Sequence, residues 1–482
     1  MNYVNCSIIL IFYLIFNVFN KILEIPVRFV DNKDKKVLSN SNNNQNDVNL
    51  SVNILYTKRK ILLDIELGDY QIYKTKQPFS VLLDTGSDVL WVGDIKCTNC
   101  YNKLNLYNSI NKKKLSERSD IVYGTGRVSG FFYFDKITFS NTDISISNFV
   151  FMSCDYVEDI DLDGILGLSY YSNNKDISLI DQMYDNNIIS NKVFSIDYSE
   201  YKDSKAKFIF GEYPNEIKKL VNLNKDTVDN NNYLGYCMLY PSLHWSCIAS
   251  WIGISSVIND DYKYIKINDQ VIFDSGTTYN LLTKKTFDIL IQYLFKDYIK
   301  NKHCNLEKSG SIGNQHIGLI CNYYAFSNIK KNIHFIFDKY ALYLNPYEYF
   351  VLEYTNYYVF KFFMLEGLDV NILGDSTLLK FITSYDKEIN RFWFYSDKVY
   401  KSQNVKPEDK DIISNEYIDN KYLYIYVIFI VVASIFILIC SYSIYKYLKN
   451  KRKNNQNSLM YNRFGSENTY NSNIYNINRN EF

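Results

Sequence analysis

The chain has 482 residues, of which 47% are hydrophobic and 22% are charged, and its formal net charge is +1. This length supports a large buried core and more than one lobe. A charge balance so close to neutral excludes general nucleic-acid binding, which requires a strong basic excess.

An apolar run near the N-terminus, residues 7–19, has the length of a signal-peptide core and is short for a membrane span. We therefore predict a signal peptide over residues 1–20, with an uncleaved membrane anchor as the alternative. The later stretch Asn32–Asn49 is polar and rich in Asn, which predicts disorder.

Alternation of apolar and polar residues predicts that β-structure dominates the middle of the chain. The pattern recurs at Lys60–Leu67, Gly130–Phe139, Lys207–Phe210 and Phe392–Tyr395. Apolar residues at helical spacing predict two short helices, at Leu179–Asn186 and Lys284–Phe295.

One short pattern occurs twice, as Asp84-Thr85-Gly86 and as Asp274-Ser275-Gly276. Each copy follows an apolar run and precedes a hydroxyl residue, Ser87 or Thr277. Asp and Gly are common in turns, so a single copy would carry little weight. Two copies with matching flanks, separated by the length of a small domain, indicate a pair of related loops.

Two carboxyl groups brought together by such loops can hydrolyse a peptide bond with water. Asp84 and Asp274 would share one proton, because two carboxylates cannot both ionise comfortably at close range. The ionised partner would take a proton from a water molecule, and the protonated partner would polarise the scissile carbonyl. Gly86 and Gly276 would let the backbone turn tightly. The hydroxyl residue after each glycine would donate a hydrogen bond to the outer carboxylate oxygen.

A second apolar stretch, Tyr422–Tyr445, contains no charged residue and is long enough to cross a bilayer. Basic residues follow it directly, between Lys446 and Lys453, which predicts a cytosolic C-terminus. We therefore predict a stalk over residues 398–421, a transmembrane helix over 422–445 and a cytosolic tail over 446–482. The protein would contact membrane lipid through this one helix, as a single-pass type I protein with a luminal or extracellular enzyme domain.

Further motifs occur in a set order along the chain. Leu90-Trp91-Val92 follows the first triplet, and Val122-Tyr123-Gly124-Thr125-Gly126 has the pattern of a β-hairpin. Ile-Leu-Gly occurs once in each half, within Asp163–Leu168 and within Ile372–Asp375. Together with the paired triplets, this order resembles the pepsin-like aspartic proteases over roughly residues 56 to 400. The bias toward Tyr, Asn, Ile and Lys would suit a plasmepsin.

The resemblance implies an all-β, bilobal fold with a few short helices. Residues 21–55 would be a short, partly disordered prosegment, because Leu23–Arg28 resembles the opening strand of such a segment. The N-terminal lobe would cover residues 56–199 and the C-terminal lobe 200–397. The enzyme would be a monomer that needs no cofactor or metal and binds a protein or peptide in extended conformation.

The resemblance also assigns roles to residues. Asp84 and Asp274 would be the catalytic pair, and Tyr123 would be the flap tyrosine that pairs with Trp91. Residues supporting the flap or the pair would be Gly124, Thr125, Ser87, Gly86, Gly276 and Thr277. The two Ile-Leu-Gly segments would brace the catalytic loops.

Cysteine usage adds three candidate disulfides, which a secretory compartment would favour. Cys304 and Cys321 match a family disulfide by position, and Cys97 and Cys100 fall where the family often has a small disulfide loop. Cys237 and Cys247 could pair across adjacent strands, which leaves Cys154 without an assigned partner. Zinc is the competing interpretation of Cys97-x-x-Cys100, but a zinc ribbon requires a second such pair.

The sequence therefore predicts a membrane-anchored aspartic endopeptidase. The first alternative is a catalytically silent receptor or adhesin that uses the same scaffold to bind peptides, since a fold does not guarantee catalysis. The second is a glycosidase, which also uses two carboxylates. Intact Asp84 and Asp274 speak against the receptor, and the paired Asp-Thr/Ser-Gly loops speak against the glycosidase.

Overall fold

The computed structural model describes residues 23–31, 59–68, 77–97, 99–100, 107, 113–124, 126–171, 177–198, 205–222, 233–257, 262–309, 315–354 and 357–401. The chain divides into two compact units, Met1–Ile412 and Ile413–Phe482, and all of the described residues belong to the first. The predicted signal peptide, transmembrane segment and cytosolic tail lie outside the described residues. Among the helices that can be described, none is both long and apolar enough to cross a bilayer.

β-Strands dominate the described residues, which confirms the predicted mostly β architecture. The strands of the first half are β1 (Leu23–Asp31), β2 (Arg59–Leu67), β3 (Gln77–Asp84), β4 (Leu90–Gly93), β5 (Lys113–Lys114), β6 (Ser119–Tyr123), β7 (Gly126–Phe139), β8 (Ser145–Glu158), β9 (Gly164–Gly167), β10 (Val193–Asp197) and β11 (Lys205–Phe210).

The second half continues in the same way. Its strands are β12 (Tyr233–Met238), β13 (Ser246–Ser256), β14 (Tyr262–Phe273), β15 (Asn280–Leu282), β16 (Cys304–Ser309), β17 (His316–Asn322), β18 (Lys331–Phe337), β19 (Tyr340–Leu344), β20 (Phe350–Tyr354), β21 (Tyr357–Phe360), β22 (Phe362–Leu365), β23 (Asn371–Leu373), β24 (Ile382–Asp386), β25 (Arg391–Ser396) and β26 (Val399–Lys401). The four segments predicted as strands lie within β2, β7, β11 and β25.

Short helices connect the strands. They are α1 (Leu179–Asp185), α2 (Asn215–Asn222), α3 (Lys284–Leu290), α4 (Lys296–Lys300), α5 (Tyr323–Asn328), α6 (Pro346–Tyr349) and α7 (Asp375–Leu378). Helix α1 agrees with the predicted Leu179–Asn186 apart from its last residue, and the Ser178 side chain caps its start by accepting from the Asp181 amide.

The second predicted helix, Lys284–Phe295, is interrupted. Helix α3 ends at Leu290, a π-helical turn follows over Ile291–Phe295, and α4 begins directly after it. Leu294 and Phe295, at the end of this turn, are both buried. The helical spacing of the apolar residues therefore predicted a helical segment here but not the π-helical turn within it.

The strands form two sheets. The first runs in the order β12-β25-β24-β10-β11-β1-β2-β3-β9-β4-β8-β7-β5, with β6 paired to β7. The second runs in the order β20-β21-β17-β22-β15-β23-β14-β13-β18-β19-β26, with β16 paired to β17. Strands β12, β24 and β25 belong to the second half but join the first sheet through the antiparallel pair of β24 with β10. One continuous sheet therefore connects the two halves.

Strand β1 lies inside this connecting sheet. It pairs with β11 from Leu23↔Phe210 to Arg28↔Lys205, and with β2 from Arg28↔Leu62 to Asp31↔Arg59. The segment predicted to open a prosegment is thus hydrogen-bonded on both sides. The polar stretch 32–49 that follows it lies outside the described residues.

Two strands deliver the repeated triplets. The end of β3, Val81–Asp84, is buried throughout, and β14 also ends in the three buried residues Val271, Ile272 and Phe273. Each strand has a parallel partner that contains Ile-Leu-Gly, β9 beside β3 and β23 beside β14. Strands covered on both faces are continuously apolar, so each Asp is the first polar residue where its strand leaves the core.

Candidate active site

The two triplet loops are joined by hydrogen bonds between residues far apart in sequence. The amide of Thr85 donates to Ser275 Oγ over 3.2 Å, and the amide of Ser275 donates to Thr85 Oγ1 over 2.9 Å. Each hydroxyl then donates across to the other strand, Thr85 to the Phe273 carbonyl and Ser275 to the Leu83 carbonyl, both over 2.8 Å. Thr85 and Ser275 are fully buried, so water does not compete for these bonds.

This crossed arrangement explains why Ser can stand in the second triplet where the first has Thr. Only the hydroxyl and the amide take part in the bonds between the loops, and both residue types supply them. Sequence reasoning treated Thr85 and Ser275 only as parts of a motif. The signal was available, because a hydroxyl residue is the central residue of both copies.

The two catalytic candidates have matching hydrogen-bond partners. Asp84 accepts from the Gly86 amide over 2.8 Å and from Ser87 Oγ over 2.5 Å. The same pair of bonds, from the amide two residues on and the hydroxyl three residues on, reaches Asp274 over 2.8 Å and 2.6 Å. The hydroxyl donors predicted from the sequence are thus in place on both carboxylates.

The glycines show how closely the carboxylates approach the opposite loop. A Cβ atom added to Gly86 would lie 2.7 Å from Asp274 Oδ2, and one added to Gly276 would lie 2.2 Å from Asp84 Oδ1. Any side chain at these two positions would collide with the facing carboxylate. Asp84 and Asp274, remote in sequence, therefore meet across the two glycines.

The environment of Asp84 favours its protonated form. Burial, followed by the charge of Asp274, raises the pKa of Asp84 from its usual 3.8 to about 8, against the opposing hydrogen bonds from Ser87 and Gly86. Two carboxyl groups at this distance titrate as a coupled pair, so the proton belongs to both. Such a pair holds one proton and one negative charge over a wide pH range.

A hairpin of β6 and β7 carries the predicted flap tyrosine. Tyr123 pairs with Gly126 across the hairpin, and its hydroxyl accepts a 2.9 Å hydrogen bond from Trp91 Nε1. Burial, and then the charge of Asp84, raise the pKa of Tyr123, so the phenol stays neutral. At Gly124 an added Cβ would meet nothing within 4 Å, and Thr125 lies outside the described residues. The structure therefore brings Trp91 and Tyr123 together beside the dyad.

The Ile-Leu-Gly strands lie directly behind the loops. A Cβ on Gly167 would meet the backbone nitrogen of Val89 at 2.3 Å, and a Cβ on Gly374 would meet the Thr277 carbonyl at 2.3 Å. The glycines let the strands pack against the loop backbones at this distance. Backbone hydrogen bonds continue the contact, with Leu168 donating to the Asp84 carbonyl and Asp375 to the Thr277 carbonyl, both over 2.8 Å.

A third carboxyl group, that of Asp375, lies behind the second loop and was not given a role by sequence reasoning. It is 3% exposed, and burial, then Asp274, then Asp84 raise its pKa well above the usual value. The first half has Leu168 at the corresponding place after Ile-Leu-Gly. The two halves therefore differ in the presence of an ionisable group immediately behind the dyad.

All three candidate disulfides are formed. The pairs are Cys97–Cys100, Cys237–Cys247 and Cys304–Cys321. Cys154 is a buried thiol, and burial raises its pKa well above the usual value, which makes it a poor nucleophile. Within the described ranges, no group of three or more His, Cys, Asp or Glu residues is arranged to hold a metal ion.

Comparison with known proteins agrees with this geometry. The family described as "Eukaryotic aspartyl protease" matches residues 67–395. Pepsin A of Bos taurus is 29% identical over 233 residues, which is 45% of this chain and 56% of that protein. Plasmepsin VIII of Plasmodium berghei (strain Anka) is 28% identical over 205 residues, 40% of this chain and 51% of that protein. The chain thus spans about half the length of the curated relatives that it matches.

Proposed function

Because the chain belongs to the eukaryotic aspartyl protease family, we propose that it is an aspartic endopeptidase in which Asp84 and Asp274 activate one water molecule. The observation that carries this proposal is the pair of carboxylates, each facing the other's glycine and each holding two hydrogen-bond donors. The raised pKa of Asp84 supplies a carboxyl group that is still protonated near neutral pH.

The reaction follows from this protonation state. Water held between the carboxyl groups gives a proton to the ionised partner as its oxygen attacks the scissile carbonyl carbon, while the protonated partner gives its proton to the carbonyl oxygen. The resulting diol collapses as the amide nitrogen takes a proton and the carbon–nitrogen bond breaks. Ser87 and Thr277 hold the carboxylates in orientation throughout. No covalent acyl-enzyme forms, because water is the nucleophile.

The substrate is a protein or peptide bound in extended conformation. The hairpin of β6 and β7 would cover it, and main-chain hydrogen bonds would fix it while pockets select alternate side chains. Tyr123 contributes a neutral phenol whose position is set by Trp91. Neither a metal nor an organic cofactor takes part in this chemistry.

The wider organisation is also part of the proposal. Residues 1–20 form a signal peptide, 21–55 a short prosegment, 56–199 and 200–397 the two lobes, and 398–421 a stalk. Strand β26 (Val399–Lys401) pairs with β19, so the second lobe extends beyond the predicted boundary and the stalk begins only after this strand. The apolar segment 422–445 anchors the enzyme in the membrane, and residues 446–482 face the cytosol. The three disulfides support a luminal or extracellular enzyme domain, because such bonds persist in oxidising compartments.

The test is peptide-library cleavage by the full chain in detergent, compared with Asp84→Asn and Asp274→Asn. Each substitution should lower kcat/KM by at least about a hundredfold, since it removes an acid–base group. The exposed Asp369→Asn, also in the second half, is the matched control and should retain activity. Cleavage that survives in both dyad variants would refute the proposal. Binding of a pepstatin-type inhibitor without any peptide turnover would instead favour the silent receptor.

A further inference from the structure

One surface of the second half carries a group of contacting aromatic rings that the proposed reaction does not use. Phe326 of α5 stacks on Tyr358 of β21 with ring centroids 3.9 Å apart. The ring of Tyr323 lies 6.2 Å from that of Tyr358, and the ring of Tyr347 lies 5.6 Å from that of Phe326. Leu352 of β20 stands opposite Tyr358 in the strand register, so the two share a face. We call the following residues the aromatic patch: Tyr323, Tyr324, Phe326, Tyr347, Leu352 and Tyr358.

Most of the aromatic patch is open to solvent. Tyr347, Tyr323, Tyr324 and Leu352 are 72%, 62%, 56% and 54% exposed, respectively. Single exposed apolar residues are normal on a soluble protein, but a contiguous group marks a surface that contacts another molecule or a membrane. Tyrosine combines an apolar ring with a polar hydroxyl group, and this combination is favoured at the boundary between lipid and water.

The tyrosines at the start of α5 stand on a rigid base. The Asn322 side chain caps this helix by accepting a backbone hydrogen bond from within it over 3.0 Å. The ring of Tyr324 contacts that of His303, with centroids 4.4 Å apart. The disulfide Cys304–Cys321 joins the residues next to His303 and Asn322. A surface fixed in this way loses little conformational entropy when it binds.

The segments that flank α5 are basic. Their exposed charged residues, from α4 to the turn after α5, include Lys296, Lys300, Lys302, Lys330 and Lys331 against Asp297. Two carboxylates lie on the neighbouring elements, and each has a partner. Glu348 of α6 lies 3.8 Å from Lys398 Nζ, and Glu353 of β20 accepts from the Tyr279 hydroxyl over 2.9 Å. Lysine pairs with lipid phosphate while its stem covers apolar surface, so this charge suits a surface of phosphate groups.

The described chain ends close to the aromatic patch. Lys398, which pairs with Glu348 of α6, directly precedes β26, and β26 is the last described strand. Residues 402–421 then lead to the apolar segment 422–445. A chain of that length reaches at most about 70 Å when fully extended, so the patch cannot lie far from a bilayer that holds the apolar segment.

We propose that the aromatic patch rests on the headgroup region of the phospholipid bilayer in which the chain is anchored. The tyrosine rings enter the boundary between headgroups and acyl chains, and the flanking lysines pair with lipid phosphates. A weak surface is sufficient, because the connection holds the bilayer at an effective concentration in the millimolar range. This inference rests on the proposed function, because it takes residues 422–445 as the membrane anchor.

The first experiment places a fluorescent probe in the aromatic patch. The full chain with Tyr347→Trp is reconstituted into phosphatidylcholine nanodiscs, one chain in each, with or without bromine on the upper acyl chains. Bromine quenches indole emission on contact, and the wild-type signal of the four native tryptophans is subtracted. The emission added by Tyr347→Trp should fall by at least about half in the brominated discs, because the side chain lies in the interface. Val122→Trp is the matched control: Val122 is 78% exposed but lies on the flap, which must face water to admit substrate, so its emission should not fall.

Two outcomes would overturn the inference. One is equal emission of Tyr347→Trp in brominated and plain discs, and the other is equal quenching of Tyr347→Trp and Val122→Trp. If the added emission is unquenched in single-chain discs but shifts to the blue in vesicles that hold many chains, a second copy of the chain covers the patch instead. Tyr323→Trp replaces Tyr347→Trp if the latter does not fold, and it should be quenched in the same way.

A second measurement separates this inference from the proposed function. Alkaline carbonate removes peripheral proteins from vesicles and leaves spanning ones, so it tests the anchor, and neither measurement requires peptide cleavage. If the chain resists carbonate while Tyr347→Trp is unquenched, the anchor stands and the inference fails. If carbonate releases the chain, the anchor fails, and flotation with vesicles at neutral pH then tests the patch directly. Combining Tyr323→Ser with Tyr347→Ser should then lower the vesicle affinity at least about tenfold, and equal affinity would refute the role of the patch.

Discussion

The two triplet loops are nearly identical where they touch and different in what surrounds them. Thr85 and Ser275 exchange equivalent hydrogen bonds, and each carboxylate has the same two donors. Around this core, only the first loop is shown beside a flap tyrosine, and only the second has a carboxyl group, Asp375, where its counterpart has Leu168. The matched core sets the geometry of the carboxylate pair, and the unmatched surroundings give the two loops different electrostatic environments.

The largest expected effect is on kcat/KM, and it comes from substituting the two equivalent glycines, Gly86 and Gly276. Gly86→Ala and Gly276→Ala each place a methyl group against the facing carboxylate, so each should lower kcat/KM by about a thousandfold. Gly124→Ala should lower kcat/KM far less, because a Cβ atom at this flap position meets nothing within 4 Å. Steady-state kinetics on the three variants checks this. A large difference between Gly86→Ala and Gly276→Ala would break the comparison between the loops.

The next largest effect is on the free energy of unfolding, and it comes from removing the crossed hydrogen bonds between the two loops. Thr85→Val and Ser275→Ala each leave a buried amide and a buried carbonyl without partners, which should cost about 2 to 3 kcal/mol of unfolding free energy. Urea unfolding measures the loss. Thr85→Ser keeps the hydroxyl group, so its loss of unfolding free energy should be well under half of that in Thr85→Val. If Thr85→Ser is as damaging as Thr85→Val, the methyl group rather than the hydrogen bond is responsible.

The asymmetry of the surroundings predicts how stability depends on pH. The pKa of Asp84 is raised to about 8 in the folded chain, so the native state holds this proton more tightly than the unfolded chain does. The resulting stabilisation is complete below the unfolded pKa near 4 and is lost as the pH rises through about 8. Unfolding free energy should fall by on the order of 1 kcal/mol per pH unit within this window.

Asp84→Asn isolates this contribution. The variant carries no ionisable group at position 84, so its unfolding free energy should change less with pH than that of the wild type. Denaturant titrations between about pH 4 and pH 8 make the measurement. An equal slope in the wild type and the variant would show that Asp84 does not hold the tightly bound proton.

The flap gives the smallest expected effect. Trp91→Phe removes the Nε1 donor to Tyr123 while keeping an aromatic ring, and it should lower kcat/KM about fivefold, the value of one hydrogen bond. Tyr123→Phe removes the other end of the same bond. Because both changes break one interaction, the double variant should lose much less than the product of the single losses. Independent losses would indicate that Trp91 and Tyr123 act separately.

The sequence was most informative where function requires a local pattern. The triplets, the hydroxyl after each glycine, the flap residues Trp91 and Tyr123 and the two Ile-Leu-Gly strands could all be identified from short, ordered motifs. Alternation located strands such as β2 and β25, although each also buries three consecutive residues, Ile61–Leu63 and Phe392–Phe394. These features are properties of neighbouring residues, so one chain sufficed to predict them.

What escaped prediction depends on residues far apart in sequence. The Asp375 carboxyl was visible in its motif, but its burial behind the dyad results from packing between segments that are far apart in sequence. The π-helical turn at Ile291–Phe295 also went unpredicted, because the apolar residues around it keep ordinary helical spacing. The pattern of apolar and polar residues along the sequence predicts neither which residues surround a buried carboxyl group nor where a helix changes its register.

Because Thr85 and Ser275 exchange hydrogen bonds, each half of the chain completes the candidate active site of the other half. A first half produced alone would present a carboxylate with no opposing acid, and it would expose the edge of β10 that β24 covers. Splitting the chain between α2 and β12 should therefore give two inactive polypeptides. Mixing the two polypeptides should restore peptide hydrolysis at a rate set by their association. If two other proteins were fused to the two polypeptides, the recovered hydrolysis would therefore measure the binding of those proteins to each other.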